Sequence, residues 1–96
     1  MADELIKRKG LIQQIDKASR DDFIKAVQKV GFLVTNLSSG SHYAVRRPGF
    51  DPADFKGFVT TVYADMSKQM KMKIFKNLVR AGINEDELWR GLGLLK

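Results

Sequence analysis

Apolar positions along the chain recur with two periods, and the switches between them mark the elements. Leu5, Ile12 and Ile15 share one stripe at helical spacing, which predicts a helix from Glu4 to Ile15. Gly10 lowers the helix propensity of that segment. The next start signal is stronger. Ser19 stands at an N-cap position, and Asp22 falls in the first turn, where a carboxylate suits the helix dipole. Phe23, Val27 and Val30 follow at helical spacing, and Gly31 stands where a left-handed stop belongs. A helix from Arg20 to Val30 is expected.

The period then shortens. Phe32 to Thr35 is apolar and β-branched and reads as a strand. Asn36 to Ser41 is turn-rich, and His42 to Arg46 reads as a second strand, so the two form a hairpin. Pro48 to Gly57 is a long loop, and Phe58 to Tyr63 a third strand. A helix is expected from Ser67 to Ala81, capped by Asp65 or Ser67 and stopped by Gly82. Met70, Ile74, Phe75, Leu78 and Val79 spread over its apolar side. Gln69, Lys73, Lys76, Asn77 and Arg80 gather on the other. Asn84 and Glu87 form a capping-box pattern before a short helix with Leu88 and Trp89. Short connections favour antiparallel pairing, since parallel strands need crossovers. The expected class is α+β: a three-stranded antiparallel sheet packed by helices on one face, with an extra N-terminal helix. Residues 1–18 are expected as a helical extension to a domain over 19–96, an add-on or partner-binding helix as readily as part of the core.

Composition narrows the function classes. At 96 residues and 44% hydrophobic, the chain suits one folded domain. It has no cysteine, which excludes disulfides, thiolate zinc sites and cysteine nucleophiles. The first twenty residues hold no unbroken apolar run, so neither a secretory signal nor a membrane span is expected, and the protein is placed in the cytoplasm. Seventeen Lys and Arg against eleven Asp and Glu leave a net charge of +6. Such an excess on a small domain points to a polyanionic partner.

The chemistry on offer centres on the single histidine, His42, which follows Gly40 and Ser41 at the start of the second strand. Glycine lets the backbone come close to a ligand, and an imidazole can take and give a proton near neutrality. RNA carries its own nucleophile, the 2′-hydroxyl. A protein that removes that proton and stabilises the transition state can cut RNA without metal, whereas DNA lacks the hydroxyl. The same histidine equally suits a hydrogen-bonded turn with no chemical task. No metal site is expected, because one histidine with scattered carboxylates gives no zinc spacing. Phosphate contacts are expected from Lys68, Lys71, Lys73, Lys76 and Arg80 on the long helix, and from Arg46 and Arg47 at the end of the second strand. Strand alternation sets Tyr43 on the face opposite His42. Trp89, Met70, Met72 and Phe75 read as core or partner surface.

The order of these pieces resembles the HicA family of toxin–antitoxin ribonucleases. The carrying residues are the helix ending in Val30-Gly31-Phe32, Gly40-Ser41-His42 opening the second strand, the strand Phe58 to Tyr63, and the amphipathic helix ending at Arg80-Ala81-Gly82-Ile83. The resemblance spans about Asp21 to Glu87. It implies a fold like the double-stranded-RNA-binding domain (dsRBD) and metal-independent mRNA cleavage with no cofactor. The catalytic position would be His42, and a HicB-type antitoxin would neutralise the activity. The first twenty residues, the loop Pro48 to Gly57 and the tail from Leu88 are additions to the family pattern, and Tyr63 to Met66 departs from it.

Three functions thus stand at this point: an mRNA-cleaving toxin using His42, a non-catalytic nucleic-acid-binding module using the same basic face, and a protein-interaction adaptor. The adaptor would present the N-terminal helix and the Trp89 tail.

Overall fold

The computed structural model describes residues 6–37, 42–51 and 54–95. Four helices are formed there: α1 (Lys9–Ile12), α2 (Arg20–Lys29), α3 (Lys68–Arg80) and α4 (Glu85–Gly91). Three strands, β1 (Leu33–Leu37), β2 (His42–Arg46) and β3 (Phe58–Tyr63), lie between α2 and α3. Single 3-10 turns occupy Ile15–Lys17 and Phe55–Gly57. The strands form one antiparallel sheet in the order β1-β2-β3, so the protein is α+β.

Local chemistry fixes the element ends. At α2 the Ser19 hydroxyl accepts from the Asp22 backbone N–H at 3.2 Å, and the Asp22 carboxylate accepts from the Ser19 N–H at 2.8 Å. This is a full capping box. Gly31 takes φ +95°, its N–H donates to the Gln28 carbonyl, and the Phe32 N–H donates to the Val27 carbonyl. That arrangement satisfies the last carbonyls of the helix. It spends the Phe32 N–H, so β1 begins at Leu33 rather than Phe32. The strand also runs past Thr35, because Asn36 and Leu37 pair with Tyr43 and His42. Ser67, not Asp65, caps α3 by accepting from the Met70 N–H at 3.1 Å. Asn84 caps α4 through the Glu87 N–H.

The core lies on one face of the sheet. Val45 and Val62 are fully buried there together with Phe23, Val27, Phe75 and Leu78 from α2 and α3. Trp89 of α4 is fully buried and packs its ring 4.1 Å from that of Phe75. Helices α2 and α4 approach so closely that a Cβ on Gly91 would sit 2.6 Å from the Cβ of Ala26.

The N-terminal segment departs from the expectation. Only Lys9–Ile12 is α-helical, and no side chain caps its start; Glu4 and Leu5 lie outside the described residues. The segment is not an appendage. Ile6, Ile15 and Ala18 are 2%, 0% and 1% exposed and belong to the common core. The Lys7 and Arg8 N–H groups donate to the two carboxylate oxygens of Glu85, each at 2.8 Å. The Arg8 guanidinium meets Asp86 at 2.6 and 2.9 Å. Outside the single turn Lys9–Ile12, the described part of the expected helix is replaced by a chain that follows its tertiary partners.

Candidate nucleic-acid interface

His42 opens β2 and is exposed to solvent. Antiparallel register places it between Leu37 of β1 and Tyr63 of β3. The imidazole meets the Tyr63 ring edge-on, with centroids 4.7 Å apart and planes at 80°. Tyr43 lies on the opposite, core-side face, as alternation requires. The Arg20 guanidinium sits 5.1 Å from its ring centroid, so Tyr43 already has a cation over one face. Gly40 and Ser41 lie outside the described residues.

Helix α3 carries the basic group. Lys68, Gln69, Met72, Lys73, Lys76 and Arg80 line one open groove along its outer side. The opposite side of the helix buries Ile74, Phe75 and Leu78. A second groove runs between β3 and α3, and among its walls are Thr61, Tyr63, Met70, Lys73 and Asn77. Lys73 lines both grooves. The surface therefore leads from His42 through Tyr63 to Lys73 and on to the remaining cations of α3.

Three expected phosphate contacts do not belong to this surface. Lys71 is only 8% exposed. Its ammonium donates to the Asp16 carbonyl at 2.9 Å and lies 3.7 Å from the Asp16 carboxylate, tying the N-terminal 3-10 turn to α3. Its position was legible, since residues 71, 74, 75 and 78 share one helical stripe and the other three are apolar. Arg46 donates to the carbonyls of Asp51 at 3.1 Å and Asp54 at 2.7 Å, and so fastens the loop before β3. Arg47 reaches the Ala81 carbonyl at the end of α3 at 3.4 Å, while its N–H donates to the Gly57 carbonyl. Both are half-buried fasteners. Tyr63 is a residue of this surface that no sequence motif marks. Its signal was the register of an antiparallel pair, which sets the last residue of β3 against the first of β2.

Shifted ionisation is found at the N-terminal clasp. Burial pushes the Glu85 carboxyl up, but the N–H groups of Lys7 and Arg8 and the indole N–H of Trp89 outweigh it, and Glu85 lies below the ordinary carboxylate range. The Arg8 hydrogen bond holds Asp86 down, and Asp86 in turn raises Arg8. These groups stabilise the fold and stand apart from the His42 surface. Among the described residues no three His, Cys, Asp or Glu side chains gather as a metal ligand set, and no helix is long and apolar enough to cross a membrane. No family model matches the sequence, and neither the curated proteins nor the solved structures compared with it give a match.

Proposed function

We propose that the protein is an RNA-binding toxin of the HicA type that cleaves mRNA through His42. The observation that carries this reading is the exposed imidazole at the start of β2, set against Tyr63 on a surface continuous with the lysines of α3. The order α2-β1-β2-β3-α3 supports a dsRBD-like core.

His42 takes the proton of the 2′-hydroxyl, and the resulting alkoxide attacks the adjacent phosphorus. The bond from phosphorus to the 5′-oxygen breaks, and that oxygen leaves with a proton returned from the imidazolium. The products are a 2′,3′-cyclic phosphate and a 5′-hydroxyl. Lys73, Lys76, Lys68 and Arg80 hold neighbouring phosphates and supply affinity without sequence information. Tyr63 is a positioning residue, whose ring limits the orientations of the imidazole. A HicB-type antitoxin is the protein partner in this reading, and the cytoplasm is its place of action.

Of the side chains the adaptor reading would present, Trp89 is fully buried and Ile6, Ile15 and Ala18 pack into the core. Inducible expression of wild type and His42→Ala in one bacterial host tests the proposal. Growth arrest with loss of mRNA in the wild type alone is expected. Equal arrest by both proteins would remove His42 from the mechanism, and normal growth with either would leave a non-catalytic binding module.

A further inference from the structure

The sheet has a second face that no helix covers among the described residues. Alternation from the buried Val45 places His42, Ala44 and Arg46 there. Register sets Thr61 and Tyr63 beside them on β3, and Leu33 and Thr35 on β1. Leu33 is 50% exposed, and Thr35 and His42 are exposed. Ala44 is buried at the floor, where its short side chain lies between its register partners Thr35 and Thr61.

At the far end from His42, Phe58 stands opposite Arg46. Phe55, in the 3-10 turn just before β3, stacks on Phe58 with centroids 5.9 Å apart and planes at 12°. Phe55 is 84% exposed. An exposed phenylalanine held flat by a second ring costs hydration and contributes little to the core. Lys56, next to Phe55 in the chain, is exposed, whereas the Arg46 guanidinium is spent on the loop carbonyls of Asp51 and Asp54. The Asp54 carboxylate is turned back onto the Lys56 backbone N–H at 2.9 Å.

We infer that this open face is the track for the substrate's unpaired strand, with a base stacked on Phe55 and the scissile phosphate at His42. The inference rests on the RNA-cleaving reading and deepens it to a single-stranded substrate. Aromatic rings accept any base whose face is free, whereas a duplex hides its base faces. From residue 42 to residue 46, β2 advances about 14 Å. Sheet-surface RNA readers take roughly two or three bases on such a platform. Thr35, Thr61 and Tyr63 offer hydroxyls to base edges along the way. The cations of α3 then take the strand after it passes Tyr63, and base stacking and phosphate binding fall on adjoining surfaces.

The test uses the full chain and a fluorescein-labelled 2′-O-methyl oligonucleotide of mixed sequence, which has no free 2′-hydroxyl and cannot be cut. The same strand annealed to its complement is the duplex probe. Fluorescence anisotropy should show tighter binding of the single strand. Phe55→Ala should weaken that binding about tenfold or more, with unchanged circular dichroism because the side chain is so exposed. Phe55→Trp should retain or strengthen it. Equal affinity of Phe55→Ala and wild type for the single strand would overturn the inference, as would equal affinity of the wild type for both probes. A change in sedimentation coefficient with Phe55→Ala, at unaltered RNA affinity, would assign the face to a second copy and also overturn it. Failure of the wild type to bind either probe would remove the RNA reading itself.

Discussion

Replacing Gly91 with alanine probes the contact that holds α4 to α2. In an exposed helix this change stabilises by up to about 1 kcal/mol, because alanine is the better helix former. Here the sign should reverse. The new Cβ would lie 2.6 Å from the Ala26 Cβ and 2.8 Å from its Cα, against ordinary contact at 3.4 Å or more. Neither atom of Ala26 can turn away, so the helices themselves have to separate. Overpacking of this kind costs typically 1–3 kcal/mol, and a rigid backbone neighbour puts Gly91 near the upper limit. After the propensity gain, a net loss of about 2 kcal/mol remains. For a domain of this size that lowers Tm by roughly 8–16 °C. Thermal unfolding followed by circular dichroism measures it, and Trp89, the sole tryptophan, gives a second probe. Gly10→Ala is the control, since nothing lies within 4 Å of its Cβ position, and its Tm should not fall. A Gly91→Ala protein as stable as wild type would refute the close approach of α2 and α4.

Glu85 is held below its ordinary pKa in the folded state, so its contribution is present above the unfolded value and disappears as pH falls through the folded one. Glu85→Gln should therefore be less stable at pH 7 yet lose less stability between pH 7 and pH 3, as read by denaturant titration of Trp89 fluorescence. Lys71→Ala should cost about 1–2 kcal/mol through the lost Asp16 hydrogen bond and stem packing while leaving the salt dependence of RNA binding unchanged. Lys73→Ala should do the opposite, reducing the slope of log affinity against log salt by about 1. Tyr63→Phe, which keeps the ring against His42, should retain cleavage within about threefold, whereas Tyr63→Ala should lower it tenfold or more. Equal losses in the two Tyr63 variants would assign the effect to the hydroxyl instead.

Elements governed by neighbours in the chain were legible, and those governed by distant partners were not. Ser19, Asp22 and Gly31 mark the ends of α2 by hydrogen bonds spanning three to five residues, so their pattern is visible in the sequence. The N-terminal segment obeys carboxylates nearly eighty residues away, Glu85 and Asp86, and its buried Ile6 falls out of helical step with the buried Ile15 and Ala18. Charge alone grouped Lys71 with Lys73 and Lys76. Helical geometry separates them, because a long lysine stem can lie along the core and deliver its ammonium to a carbonyl. Arg46 and Arg47 carry the same charge signal, while the carbonyls that bind their guanidinium groups, those of Asp51 and Asp54 in the loop for Arg46 and of Ala81 at the end of α3 for Arg47, are brought to them only by the folded path of the chain. His42 was legible as the only imidazole, but its neighbour Tyr63 emerges from strand register, which depends on the whole sheet.

In the proposed function His42 activates a 2′-hydroxyl. The most direct measurement of that step is the chemistry of the cut ends produced by purified protein in EDTA, on an RNA and on the DNA of the same sequence. Cleavage of RNA alone is expected, with 2′,3′-cyclic phosphate and 5′-hydroxyl ends, and none by a folded His42→Ala protein. Cleavage of the DNA, 5′-phosphate ends, or undiminished activity of His42→Ala would contradict it.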